Sequence, residues 1–216
     1  ASAQHEMLGT DNVIGASVES QSGDALADKI DLFGWSTSTT NFGVSTSKDD
    51  NDYLGSFVDW GRNKIGNDAP NTWRTLTQNE WNYVVFSRLN ARSLNGVACV
   101  SGVNGLVLLP DDWNCPAGIT FKSGFHRDYD VEAYGQNQTL TASQWSKLEE
   151  AGAVFLPASG YRSNLDLHNV QFVGHYWSAT EDSSLSAYYL YFHSDGANMY
   201  GDYRYYGQGV RLVKDL

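Results

Sequence analysis

Residues 140–157 read "LTASQWSKLEEAGAVFLP", a helix followed at once by a strand. Thr141 precedes Gln144 by three positions, the spacing of a capping box: the Thr hydroxyl accepts a first-turn amide and the Gln side chain reaches back to the cap amide. Trp145, Leu148 and Ala151 then recur on one helical face, and Gly152 offers the left-handed stop. The apolar "GAVFLP" that follows reads as a short buried strand, with Pro157 ending it or placing it at an edge.

The same order occurs upstream. "LTQNEW" at 76–81 carries a second box, Thr77 with Glu80, and predicts a helix with Trp81, Val84, Val85, Arg88 and Leu89 along one face. "GLVLLP" at 105–110 reads as its strand. Two capped helices set among short strands give an α+β class. With no linker or low-complexity segment, residues 1–216 read as one domain. Residues 36–52, rich in Ser, Thr, Asn and Asp, are expected to be loops pinned by aromatic anchors such as Phe33, Trp35, Tyr53, Phe57 and Trp60.

The chain carries 14 Lys and Arg against 25 Asp and Glu, a formal charge of −11. Without a basic stripe, nucleic acid and anionic membranes are poor partners. No apolar run approaches the roughly 20 residues of a membrane span. Cys99 and Cys115 are either a disulfide, worth roughly 3 kcal/mol for a loop of that size, or two free thiols. The sequence leaves these alternatives open.

Catalytic and metal patterns are missing. His5, His126, His168, His175 and His193 lack ligand spacing, and "KDDND" at 48–52 fails as a calcium loop because Leu54 and Gly61 fall where ligands belong. There is no nucleophile elbow, P-loop or dinucleotide fingerprint. Asp111 and Asp112, adjacent after Pro110, read as a turn rather than an acid/base pair. No enzyme activity, cofactor or metal is expected.

The C-terminal part differs from the rest. Eight of the thirteen Tyr lie between Tyr176 and Tyr206, in a run that includes "SAYYLYFHSDGANMYGDYRYYGQGVRLV" at 186–213. Three strands are expected here, in "YWSATE", "AYYLYF" and "GVRLV". Alternation in the second puts Tyr188, Leu190 and Phe192 on a core face and Tyr189, Tyr191 and His193 on the other. "GANMYGDYRYYGQG" reads as a loop or irregular ribbon. Tyr mixed with Ser, Gly, Asn and Asp is the composition of an antibody-like contact surface, so this run is expected to be a recognition surface.

Six motifs, "IDLFGW" at 30–35, "NTWRTLTQNEW" at 71–81, "NGLVLLPDDW" at 104–113, "LTASQWSKLEEAGAVFLPASGYR" at 140–162, "GHYWSAT" at 174–180 and "GVRLV" at 209–213, follow one another in an order that resembles the variable proteins of diversity-generating retroelements and related surface domains of gut Bacteroidetes. The resemblance runs from about residue 30 to the end; residues 1–29 match no part of it. It implies a C-type-lectin-like fold of the formylglycine-generating-enzyme type, and a non-enzymatic display protein on a virion or cell surface whose partner is an unknown protein or cell-surface ligand.

In that family the 3′ end of the gene is rewritten at template adenines, commonly in AAC codons, which yield Tyr, Ser, Asp, Asn, His and Gly but never stop, Lys, Glu, Gln, Met or Trp. The resemblance makes 176–213 the variable region. It implies Ser183, Ser184, Ser186, Tyr189, Tyr191, His193, Gly196, Asn198, Tyr200, Gly201, Tyr203, Tyr205 and Tyr206 as ligand-contacting positions. Trp177, Leu190, Phe192, Met199, Arg204, Gln208, Val210, Arg211 and Leu212 would be fixed scaffold. An invariant adhesion domain of this fold is the alternative, and a divergent oxidase a more distant one, since the last cysteine is Cys115.

Overall fold

Both capping boxes form. The computed structural model describes residues 59, 61, 65–163, 166–183, 186–203 and 206–215; the 1–29 segment, "IDLFGW" and the 36–52 loop lie outside them. In helix α1 (Gln78–Asn82) the Thr77 hydroxyl accepts from the Glu80 amide, and Glu80 accepts from the Thr77 amide at 2.8 Å. Arg74 grips the same carboxylate through two nitrogens, at 2.9 and 2.7 Å. Charge-assisted, bidentate bonds of this kind are the strong ones.

The first helix departs from expectation at its C-terminal end. Residues Tyr83–Ser87 widen into a π-helical turn, and Arg88 leaves it extended at φ −65°, ψ 157°. Trp81 and Val85 stay in the core, but Leu89, expected on the same apolar face, is 86% exposed. The wider turn and the break at Arg88 end the 3.6-residue register one step too early for Leu89. Arg88 is buried and bonds Asp111 at 2.9 Å and the Leu94 carbonyl at 3.1 Å. Asp111 is thus held in an ion pair after Pro110.

The central sheet has the order β4-β2-β3-β5: β2 (Asn95–Val100), β3 (Val103–Leu108), β4 (Thr139–Leu140) and β5 (Val154–Pro157). Ser101 and Gly102, both at positive φ, turn β2 into β3 as a two-residue hairpin requires. The two apolar runs of the sequence are antiparallel neighbours, Leu108 opposite Val154 and Gly105 opposite Pro157. Pro157 ends an edge strand, where its missing donor costs no ladder bond. A Cβ on Gly105 would lie 2.4 Å from the Leu156 carbonyl, so this close pairing needs glycine.

Alternation then gives the sheet two covered faces. Val97, Leu106, Leu108 and Leu156 pack with Trp81, Tyr176, Leu190 and Phe192. Ala98, Val100 and Val107 pack with Leu148 of helix α3 (Ala142–Glu150). A third helix, α2 (Ala133–Asn137), was not foreseen from the sequence: the Glu132 side chain makes no capping bond to its first turn. Strand β1 (Arg74–Thr75) pairs with β11 (Leu212–Val213), bringing the chain's C-terminal end back beside α1, and β6 (Tyr161–Ser163) forms a hairpin with β7 (Asp166–His168). The described chain is therefore mixed α and β, with small, mostly antiparallel, open sheets.

The second large sheet is β10-β9-β8, all antiparallel: β8 (Gly174–Ser183), β9 (Ser186–His193) and β10 (Gly196–Tyr203). Residues 196–203, expected to be a loop or ribbon, form a regular strand paired to β9 at eight positions. Their own β propensity is low, and the free edge of β9 imposes the ladder. The hairpin tip is pinned by Ser194, whose buried hydroxyl donates to the Asp128 carbonyl at 2.8 Å and accepts from the Asp130 amide at 3.0 Å. Among the described residues no helix is long and apolar enough to cross a membrane.

Candidate functional site

The β10-β9-β8 sheet turns Leu190 and Phe192 of β9 into the core and its alternate residues, Tyr189, Tyr191 and His193, to the opposite face. Residues directly across a ladder share a face. His175 and Trp177 of β8 stand beside Tyr191 and Tyr189, and Asn198 and Tyr200 of β10 flank them on the other side. Asp202 falls in the same set, opposite Ala187.

These side chains interlock ring against ring. His175 stacks on Tyr189 with centroids 4.9 Å apart at 14°, Tyr161 stacks on His175 at 4.8 Å, and His168 on Tyr161 at 5.3 Å. Trp177 meets Tyr189 edge-on, Tyr191 and Tyr200 lie 5.7 Å apart, and Tyr206 meets Tyr161 at 5.8 Å. On the far side Tyr129 packs edge-on against His193 at 4.5 Å and on Phe172 at 4.7 Å; its hydroxyl is 3.4 Å from that of Tyr191. Offset and edge-on pairs of this kind add about 0.5–1.5 kcal/mol each beyond area burial.

The layer has a floor and a surface. Tyr189 is only 7% exposed and His175 6%, whereas Tyr200 is 46% and Tyr129 51% exposed. Burial sets the electrostatics. It lowers the His175 pKa to about 4, so the imidazole is neutral at pH 7, and its buried Nδ1 has no hydrogen-bond partner among the described residues. It pushes the Asp202 carboxyl up to about 6 and raises the Tyr189 and Tyr191 phenols. His193 is lowered by the same cause.

The expected contact positions divide accordingly. Tyr191, His193, Gly196, Asn198 and Tyr200 gather on the aromatic face, and Tyr206 joins its margin, 6.4 Å from the exposed Tyr203. Tyr189 is on that face but serves as its floor rather than as displayed surface. Ser186 is buried at the other end of the sheet, where its hydroxyl bonds that of Ser183 and the Asp182 carboxylate. Gly201 lies opposite Tyr188 on the reverse face, against Asp182. Ser184, Arg204 and Tyr205 lie outside the described residues.

Sequence reasoning missed Tyr129, Tyr161, His168, Phe172, His175 and Asp202. For His175 a signal existed, since alternation in "GHYWSAT" opposes it to the core residue Tyr176. Tyr129 reaches the face only through the pinned hairpin tip, and nothing local announces it. Cys99 and Cys115 are free thiols. No group of three or more His, Cys, Asp or Glu among the described residues could hold a metal ion.

A protein-family model described as a domain of unknown function (DUF8237) matches residues 130–213. The matched segment runs from Asp130, beside the aromatic layer, to Val213 in β11, and spans all three strands of the tyrosine sheet. No curated protein and no solved structure matches the chain.

Proposed function

We propose that the outer face of β8, β9 and β10 is a macromolecule-binding surface, and that the chain is a non-enzymatic display protein whose residues 176–213 are diversified by a retroelement. One observation carries this: exposed Tyr200 stands on Tyr189, itself packed between His175 and Trp177, and exposed Tyr129 stands on His193 and Phe172. Contact rings held in place lose little entropy on binding, the preorganisation that makes tyrosine effective at contact surfaces.

The division between scaffold and display supports the same reading. Leu190, Phe192 and Met199 belong to the core side, while Tyr191, His193, Asn198 and Tyr200 point away from it. The family resemblance of the motifs supplies the diversification and the C-type-lectin-like fold, and the pairing of β1 with β11 near the chain's C-terminal end is consistent with that fold.

The test is the nucleotide sequence of the gene and its flanks. A near-copy of the segment encoding 176–213, mismatched only at the copy's adenines and accompanied by a reverse transcriptase gene, is the expected result. Absence of any copy overturns diversification and leaves a fixed binding face.

A further inference from the structure

Strand register places Asp202 on the aromatic face, in line with Tyr200 on β10 and diagonal to Tyr189 on β9; Glu181 of β8 is also opposite Ala187 but is exposed, whereas Asp202 is half-buried. Its Oδ1 accepts from the Tyr203 amide at 2.8 Å, and no Lys or Arg among the described residues forms an ion pair with it. A half-buried carboxylate without a cation is costly when ionised, and the upward displacement of its pKa to about 6 expresses that cost. The margin is acidic on balance: Asp128, Asp130 and Glu132 flank Tyr129, with the exposed Arg127 offsetting Asp128, Asp195 sits at the hairpin tip, and Glu181 and Asp182 close the other end. Phenol faces attract cations through their quadrupole, and the whole chain, at −11, steers positive partners inward.

We propose that this face takes a basic protein segment, seating a lysine or arginine side chain between the Asp202 carboxylate and the Tyr200 ring. The proposal rests on the face being the binding surface argued above. A guanidinium or ammonium there would supply a counter-charge that no Lys or Arg among the described residues gives Asp202, and would stack on a ring already held by Tyr189 and Tyr191. A neutral or acidic partner would leave the carboxylate uncompensated, which is a basis for discrimination as well as affinity.

The experiment titrates pentaarginine, pentalysine and pentaglutamate peptides into the intact chain, with amide chemical shifts as the readout. The basic peptides should bind, with the largest shifts along 198–203, and pentaglutamate should not. Asp202→Asn and Tyr200→Ser should each weaken binding about tenfold, while Glu149→Gln, exposed on α3, should change it by less than about twofold. Shifts spread evenly over the acidic surface, or an equal loss in Glu149→Gln, overturn the proposal in favour of diffuse attraction to net charge. The shift map uses the unsubstituted protein, so the test survives a variant that fails to fold. A gene bearing the adenine-mismatched copy together with no basic-peptide binding sinks the cationic occupant alone. A gene without the copy but with mapped binding sinks diversification alone.

Discussion

Tyr189 and Tyr200 are direct neighbours across the β9–β10 ladder, yet they do different work. Tyr189 is enclosed by His175, Trp177 and Tyr200, so removing its ring opens a cavity under the whole layer. Tyr189→Ser is expected to cost about 3–5 kcal/mol, the range for deleting a buried aromatic side chain. Tyr200→Ser, at a position half in solvent, is expected to stay within about 1 kcal/mol. Thermal or denaturant melts of the two variants check this. Equal losses would mean that Tyr200 is also floor and that no displayed surface exists on β10. For a diversified surface the distinction has a consequence: position 189 tolerates only residues that keep the stack, whereas 191, 198 and 200 can vary without unfolding the sheet.

At the scale of elements, the legible parts were those whose residues carry their own instructions. Each capping box names its helix start, and "GLVLLP" and "GAVFLP" are apolar enough to declare buried strands, although nothing local says that they pair with each other. The π-helical turn after Asn82, the uncapped five-residue α2 and strand β10 were not legible, because each is imposed from outside. β10 is the clearest case: Gly196, Asn198, Gly201 and Asp202 are poor strand formers, and the ladder of β9 makes them a strand. The face was legible by alternation within β9, but the rings that complete it were not, because Tyr161, Tyr129 and His168 arrive from distant segments. The caps permit a quantitative check. Thr77→Ala removes the acceptor of the Glu80 amide and the hydroxyl contact to the Glu80 carboxylate, so that of its Thr77 contacts the carboxylate keeps only the backbone amide, and should cost about 1–2 kcal/mol. Denaturant titration with an unchanged m-value would confirm a local loss of stability, and a Thr77→Ala protein as stable as the parent would mean that the Arg74 pair alone holds the turn.

For the whole molecule, three of the shifted groups among the described residues respond to acid with different signs. Glu80 is lowered to about 2 chiefly by its bonds to Arg74, so its contribution is complete above its unfolded value of about 4.5 and is lost as pH falls toward 2. His175 is lowered from 6.5 to about 4 by burial. Between those values the unfolded chain takes up a proton that the folded chain refuses, so stability falls with pH over that window, by up to about 3 kcal/mol. Asp202 runs the other way: raised from 3.8 to about 6 by burial, it binds a proton first in the folded state and stabilises the fold as pH drops through 6 toward 3.8. On the same aromatic face, His175 and Asp202 therefore oppose each other between about pH 6 and pH 4, and the parent protein hides both. Substitution unmasks them. Relative to the parent, His175→Phe, which keeps a planar ring between Tyr161 and Tyr189, should gain stability as pH falls from 6.5 to 4. Asp202→Asn should gain stability above pH 6 and lose that advantage by pH 4. Melting temperatures of the three proteins at pH 7, 5.5 and 4 give the test, read as differences so that Glu80 and other common carboxylates cancel. Three parallel profiles would mean that neither group is desolvated by the ring layer, and that the layer is open to water rather than a packed support for the surface above it.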